Sequence, residues 1–312
     1  MSSGRRLILA SLLLLAVLVA AFIVNRELFI SKDGRAFESR LVFLRLHSRV
    51  FRNDRTLRVL LPPGYGAAGN ALERYPVLYL NDGQDLFDPH LSTFRRGGSY
   101  LLKEKMQALY ARGAIRPILI VGVDNAGHRM RPNEYLPWPD STLRPLMLNP
   151  HGTQYPDFMT DEVMPFIQAH FRVLTDASDT GVGGASYGAL AAVYLVTRRP
   201  GRFGRLLVES PSVYPYNYAL IRSIAKAPML PQRISIGVGT NEEGGANCVP
   251  GQVGPEVQDV WTLSDALERR QRGTSTILLT VVDCARHRNA DFGTRFPNAV
   301  TFLFGRPDEV PR

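Results

Sequence analysis

One serine among small residues, Gly183-Gly184-Ala185-Ser186-Tyr187-Gly188, most constrains how this chain can fold. The string fits G-x-S-x-G. Before it, Asp179-Thr180-Gly181-Val182 is short enough to be a buried strand. After it, Ala189-Leu190-Ala191-Ala192-Val193-Tyr194-Leu195 is an apolar helix former. A serine pinned between strand and helix must turn sharply, so small residues are needed beside it. Such a turn lifts Oγ clear of the sheet and leaves backbone N–H groups at a helix N-terminus, where developing negative charge is stabilised. Read blandly, the same string is a Gly-rich turn with a surface serine. The rest of the chain decides between the two.

The chain has 312 residues, 45% of them hydrophobic, ample for one large core. Its net charge is +9, yet only Lys32, Lys103, Lys105 and Lys226 are lysines and the arginines are scattered. The densest run, Glu268-Arg269-Arg270-Gln271-Arg272, reads as the polar face of a helix end. No basic stripe interleaves with aromatics, so nucleic acid is not an expected partner. Attraction to an anionic membrane surface is the milder consequence of the charge.

Arg5-Arg6 precede an unbroken apolar run, Leu7 to Val24. As a helix it would span about 27 Å, close to a bilayer core of about 30 Å. Residues 1–6 read as a cytoplasmic segment, 7–24 as a transmembrane signal anchor, 25–39 as a stalk and 40–312 as the folded domain. Val19-Ala20-Ala21 would serve as a cleavage site, so a secreted form is the alternative; Phe22-Ile23-Val24 extends the run past that site and favours the anchor. Either way the positive-inside rule keeps Arg5 and Arg6 in the cytoplasm and exports the rest.

Leu41–Val50 and Arg55–Leu61 alternate apolar and polar residues around Asn53-Asp54 and predict an antiparallel hairpin. Strands are predicted at Tyr75–Leu80, Pro117–Val123, Arg205–Glu209, Ile234–Gly239 and Thr276–Val282. Helices are predicted at Ser99–Arg112, Asp157–His170, Tyr218–Ala225, Val257–Arg272 and Phe292–Phe304. Residues 125–156, rich in Pro, Gly, Asn and aromatics, read as a long loop. The alternation predicts an α/β fold: a mostly parallel, doubly wound sheet with an antiparallel start.

A serine hydroxyl is a weak nucleophile until a base takes its proton, and the base needs an orienting acid. In α/β-hydrolases the order along the chain is Ser, acid, His. Six histidines are present, and only His287 follows Ser186, just past the strand ending at Val282. His47, His90, His128, His151 and His170 all come earlier. For the acid, the strand ending at Gly239 points to Glu242, with Glu243 left open. The oxyanion hole should combine the Tyr187 N–H with one from Asn81-Asp82-Gly83-Gln84, assigned to Gln84. Asp124, Tyr135 and Trp138 are candidates for lining a substrate pocket, with packing as the competing role. Cys248 follows the acid loop and Cys284 precedes His287. Those strand ends are neighbours in a doubly wound sheet, so a Cys248–Cys284 disulfide is expected in an exported protein. No metal-ligand spacing, P-loop or G-x-G-x-x-G occurs, so neither metal nor cofactor is expected.

These segments together resemble the putative-esterase family of α/β-hydrolases, which includes esterase D, the enterochelin esterases and the mycolyltransferases. The resemblance runs over about residues 46–305. It is carried by Tyr75 to Gln84, Val121-Gly122-Val123-Asp124-Asn125 with Glu134-Tyr135, Gly184 to Gly188, Arg199 to Gly204 leading to Ser210-Pro211-Ser212, Gly239-Thr240-Asn241-Glu242, and His287 to Phe304. It implies a hydrolase of small-molecule esters or thioesters working through Ser186, Glu242 and His287. Two departures are Ala189, where a second glycine is usual, and Phe292, where tryptophan is common. Two other functions remain open: acyl transfer to an envelope sugar or lipid on the same site, and an anchored binding domain without catalysis.

Overall fold

The computed structural model describes residues 39–92, 98–127, 129–140, 147–245, 247–271 and 273–305. The segments expected to form the anchor and the stalk, up to residue 38, and His128 lie outside the described residues. Among the described residues no helix is long and apolar enough to cross a membrane.

Eight strands form one sheet: β1 (Arg40–Ser48), β2 (Asn53–Leu61), β3 (Val77–Asn81), β4 (Leu119–Val123), β5 (Thr180–Ala185), β6 (Arg205–Glu209), β7 (Arg233–Gly239) and β8 (Thr276–Val282). Their order is β1-β2-β4-β3-β5-β6-β7-β8. β1 pairs antiparallel with β2, which pairs antiparallel with β4; the remaining pairings are parallel. The hairpin register closes on Ser48↔Asn53. This is an α/β-hydrolase-like sheet with the expected antiparallel start.

Strand periodicity sorts the core into two layers, because successive side chains point to opposite faces. Val77, Tyr79, Leu119 and Val121 face one layer; Leu78, Leu80 and Ile120 face the other. The second layer is covered by α1 (Leu102–Ala111) and α7 (Asn289–Phe304). The first is covered by α3 (Met164–His170), α4 (Tyr187–Arg198), α5 (Pro215–Lys226) and α6 (Pro255–Gln271). Crossovers on both faces bring the carboxyl ends of β3, β5, β6, β7 and β8 to one edge, where ligands bind in open α/β sheets.

Three local features depart from the expected elements. The 125–156 region contains the short helix α2 (Arg131–Tyr135). It is tied down by the buried Arg55–Glu134 ion pair and by Asn53 Nδ2 donating to Glu134 Oε1 at 2.9 Å. The expected helix at 157–170 opens as a π-helical turn, Phe158–Val163. That turn aims Glu162 at the hairpin, where its carboxylate accepts from Arg49 N, Val50 N and Ser48 Oγ at 2.8, 3.1 and 2.6 Å. Finally, α5 begins with Tyr216, Asn217 and Tyr218 in the left-handed region, a turn that helical periodicity cannot report.

Cys248 and Cys284 form a disulfide with a Cα–Cα distance of 5.6 Å. It joins the loops after β7 and β8, which are also tied by Thr240 N to Val282 O (3.0 Å) and Asn241 N to Ala285 O (3.0 Å). Cross-linking over a sequence separation of 36 corresponds to about 4 kcal/mol in the chain-entropy model. Reduction with dithiothreitol is therefore expected to lower the thermal midpoint by roughly 5–10 °C, read by circular dichroism against the non-reduced protein. An unchanged midpoint would show that the backbone bonds suffice to hold the two loops.

Candidate active site

β5 ends at Ala185 and α4 starts at Tyr187, leaving Ser186 alone at the turn with φ 57° and ψ −128°. That backbone geometry is rarely populated by an L-residue and marks stored strain. Neighbouring elements hold it: Ser186 N donates to Glu209 O at 3.0 Å. The flanking glycines are steric necessities. A Cβ on Gly184 would lie 2.8 Å from the Gly188 carbonyl carbon, and one on Gly188 would lie 2.9 Å from Asp82 Oδ2.

The loops after β7 and β8 bring a carboxylate against an imidazole. Glu242 Oε2 lies 2.7 Å from His287 Nδ1. The Glu242 side chain is 1% exposed and the imidazole 40%. Glu242 Oε1 accepts from Ser210 Oγ at 2.7 Å and from Gly239 N at 2.6 Å. Burial alone would raise the Glu242 carboxyl, but hydrogen bonds from His287, Ser210 and Gly239 outweigh it and hold the group below the usual glutamate value. An ionised carboxylate only accepts, so His287 Nδ1 carries a proton and Nε2 is the basic nitrogen. Phe292 meets the imidazole edge-on at 5.2 Å. Glu243 is exposed, and the carboxylate touching His287 is Glu242.

Ser186, Tyr187, Glu242 and His287 line one cavity of about 320 Å³, together with Ser210, Pro211, Ser212, Tyr214, Glu243, Glu256, Asp259 and Val260. Ser186 Oγ is 3.5 Å from Ser212 Oγ. The Tyr187 phenol donates to Asp140 Oδ2 at 2.8 Å and lies 3.4 Å from Tyr214 OH. Burial, then these partners, push that phenol far above its ordinary value.

The loop after β3 abuts the elbow. Asn81 Nδ2 donates to Gly188 O at 2.7 Å, and Asp82 takes φ 59°. Arg131 grips the Asp82 carboxylate from Nε and Nη2 at 2.8 and 2.9 Å, and its Nη2 also reaches Ala185 O at 3.2 Å. One buried guanidinium thus ties the front loop to the residue before Ser186. Gln84 sits in the buried turn that follows, its Oε1 accepting from Asn125 N at 3.2 Å. Gln84 is not among the residues lining the cavity.

Asp124, Tyr135 and Trp138 also lie outside that lining. Asp124 is paired with Arg58 through two bonds of 2.7 and 2.8 Å. Tyr135 is buried, accepts from Asp82 N at 3.2 Å and packs edge-on against Tyr155. Trp138 packs on Tyr194. All three serve the scaffold in these contacts. Sequence reasoning missed Ser210, Ser212, Tyr214 and Arg131; only the Ser-Pro-Ser string after β6 hinted at the first two. Among the described residues, no group of three or more His, Cys, Asp or Glu could hold a metal ion.

Residues 48–303 match the sequence model of the family described as Putative esterase. The chain belongs to this family. Its class of chemistry is carboxylic ester hydrolysis. An uncharacterised Bacillus subtilis protein, YbbA, is 22% identical over 255 residues, spanning 81% of this chain and 94% of that one. Among solved structures, a ferulic acid esterase aligns with a TM-score of 0.59 at 17% identity, over 86% of this chain and 98% of that one. The enterobactin esterase of Shigella flexneri aligns with a TM-score of 0.62 at 17% identity over 85% of this chain. This esterase-family chain spans only 58% of that enzyme's length. At such identities the structural likeness speaks for the shared fold.

Proposed function

We propose that the protein is a serine carboxylesterase in which Ser186 attacks the acyl carbon, His287 is the base and Glu242 orients the imidazole. The observation that carries this reading is the 2.7 Å contact between Glu242 and His287 in the cavity that Ser186 enters from its strained turn. His287 Nε2 takes the Ser186 proton as Oγ bonds to the carbonyl carbon. The oxyanion is held by the N–H of Tyr187 and by a second N–H from the front loop, assigned to Gln84. The tetrahedral intermediate collapses, the alcohol leaves with the proton from His287, and an acyl-enzyme remains. Water then attacks, gives its proton to His287, and the acid departs as Ser186 recovers its hydrogen.

The disulfide supports a site of action outside the cytoplasm, and the membrane anchor at residues 7–24 belongs to the same proposal. The direct test is a fluorophosphonate probe. It should label the wild-type protein covalently at Ser186, as mapped by peptide mass spectrometry; an unlabelled protein would favour a binding domain without catalysis.

The cavity also carries an electrical preference. Besides Glu242 it is lined by Glu243, Glu256 and Asp259 and, among the described residues, by no Lys or Arg, although the chain as a whole is basic. Esters of matched length ending in a trimethylammonium or in a carboxylate should differ in kcat/KM by about ten-fold at low salt, the cation ahead. The gap should narrow as ionic strength rises. The reverse order would mean that these carboxylates do not face the bound substrate.

A further inference from the structure

Behind the acid lies a buried polar chain that the proposed mechanism does not use. Arg295 on α7 donates from Nε to Glu209 Oε2 at 2.8 Å and from Nη2 to Ser210 Oγ at 3.1 Å. Ser210 Oγ in turn contacts Glu242 Oε1 at 2.7 Å. The side chains of Arg295 and Glu209 are each 2% exposed, and Ser210 and Glu242 are buried as well. These contacts have only one consistent polarity. A guanidinium has donors and no acceptor, so Ser210 Oγ must accept from Arg295. A hydroxyl has one hydrogen, which must then go to the carboxylate. Arg295 therefore dictates that Ser210 donates to Glu242, and Glu209 holds Arg295 in place.

The backbone is arranged for the same end. Ser210 is one of the few non-glycine residues with positive φ, at 39°. Its N–H is fixed to Gly237 O at 2.8 Å. This strained position lies one residue past the end of β6, where strain marks a functional constraint. The side chain so presented reaches Oε1 of Glu242 and leaves Oε2 to His287.

We infer that Ser210, aligned by the Arg295–Glu209 pair, is a positioning residue that fixes the Glu242 carboxylate against His287. The inference rests on the serine esterase reading and deepens it. The charged groups facing the Ser210–Glu242 contact are Glu209 on β6, Arg295 on α7 and His287 after β8. A carboxylate deprived of the Ser210 donor keeps more of its charge for the imidazole and is freer to rotate out of line.

The test compares wild type, Ser210→Ala and Ser210→Gly by the rate of fluorophosphonate labelling as a function of pH, with melting temperatures measured alongside. A hydrogen bond to a charged group corresponds to a factor of about ten or more, so labelling near neutral pH should slow about ten-fold in both variants. The acid limb of the profile should move to higher pH in both. The glycine variant separates positioning from folding, because glycine adopts positive φ freely: its melting temperature should exceed that of the alanine variant while its labelling defect is the same. Wild-type rate and limb in both variants overturn the inference. A defect in Ser210→Ala that Ser210→Gly restores would also overturn it, by assigning the effect to the backbone. Absence of labelling at Ser186 in wild type would instead overturn the esterase reading itself.

Discussion

Ser186→Ala is expected to lower ester turnover by about 10⁴-fold or more while leaving the fold intact. On the proposed mechanism the substitution deletes the atom that bonds to the acyl carbon, so no path through His287 restores the acyl-enzyme. The loss to packing is small. Ser186 is part-buried, and its Oγ contact is with Ser212 at 3.5 Å, a long and weak one. Alanine keeps the Cβ and with it the strained backbone, so stability should stay within about 0.5 kcal/mol of wild type. Ser186→Gly is equally inactive on this reading but relaxes the turn at φ 57°. It should melt above Ser186→Ala, as expected where stability is given up for an active-site geometry. A panel of esters of varied acyl length, with melting curves for each variant, checks both statements. Retained turnover in a folded Ser186→Ala protein would remove Ser186 from the mechanism.

What the sequence made legible, and what it hid, follows from the range of each interaction. The elbow was legible because its determinants are five consecutive residues and the steric demand falls on two of them, Gly184 and Gly188. The parallel strands were legible because a strand covered on both faces must be apolar at every position, as in Leu119–Val123. The helix at Arg131–Tyr135 was not: it is five residues long and is held by Arg55 and Asn53 from β2, partners that local periodicity does not contain. For Asp124 and Tyr135 the sequence leaves pocket lining and packing both open, because a charge and an aromatic sit in a loop beside the sheet's working edge. Arg58 and Asp82, distant in sequence, turn them into scaffold. Ser210 and Arg295 are 85 residues apart, so nothing local could connect them. The choice between Glu242 and Glu243 was undecided for a simpler reason. Adjacent loop residues point in different directions, and only the backbone path says which one turns inward.

That choice yields the second large effect. Glu242→Gln is expected to lower kcat by about 10³–10⁴-fold, whereas Glu243→Gln should stay within about three-fold on a neutral ester. Glutamine is nearly isosteric, and its carbonyl oxygen can still accept from Ser210 and Gly239. Its amide must then face His287 Nδ1 as a donor. If Nδ1 accepts there, the ring hydrogen sits on Nε2, which can then no longer take the Ser186 proton. The defect thus lies in the tautomer rather than in substrate binding, and KM should change little. The pH dependence of stability carries the same signature. Glu242 titrates below the usual glutamate value in the folded protein, so its contribution is fully present above the unfolded value of about 4.3. It is lost as pH falls through the lower, folded value. Wild type should therefore lose stability relative to Glu242→Gln on acidification below about pH 4.3, with no such convergence between wild type and Glu243→Gln. Equal kinetic losses in the two variants would mean that neither carboxylate alone orients His287. A loss confined to Glu243→Gln would move the acid to the exposed neighbour and leave the buried Ser210–Glu242–His287 chain without a role in catalysis.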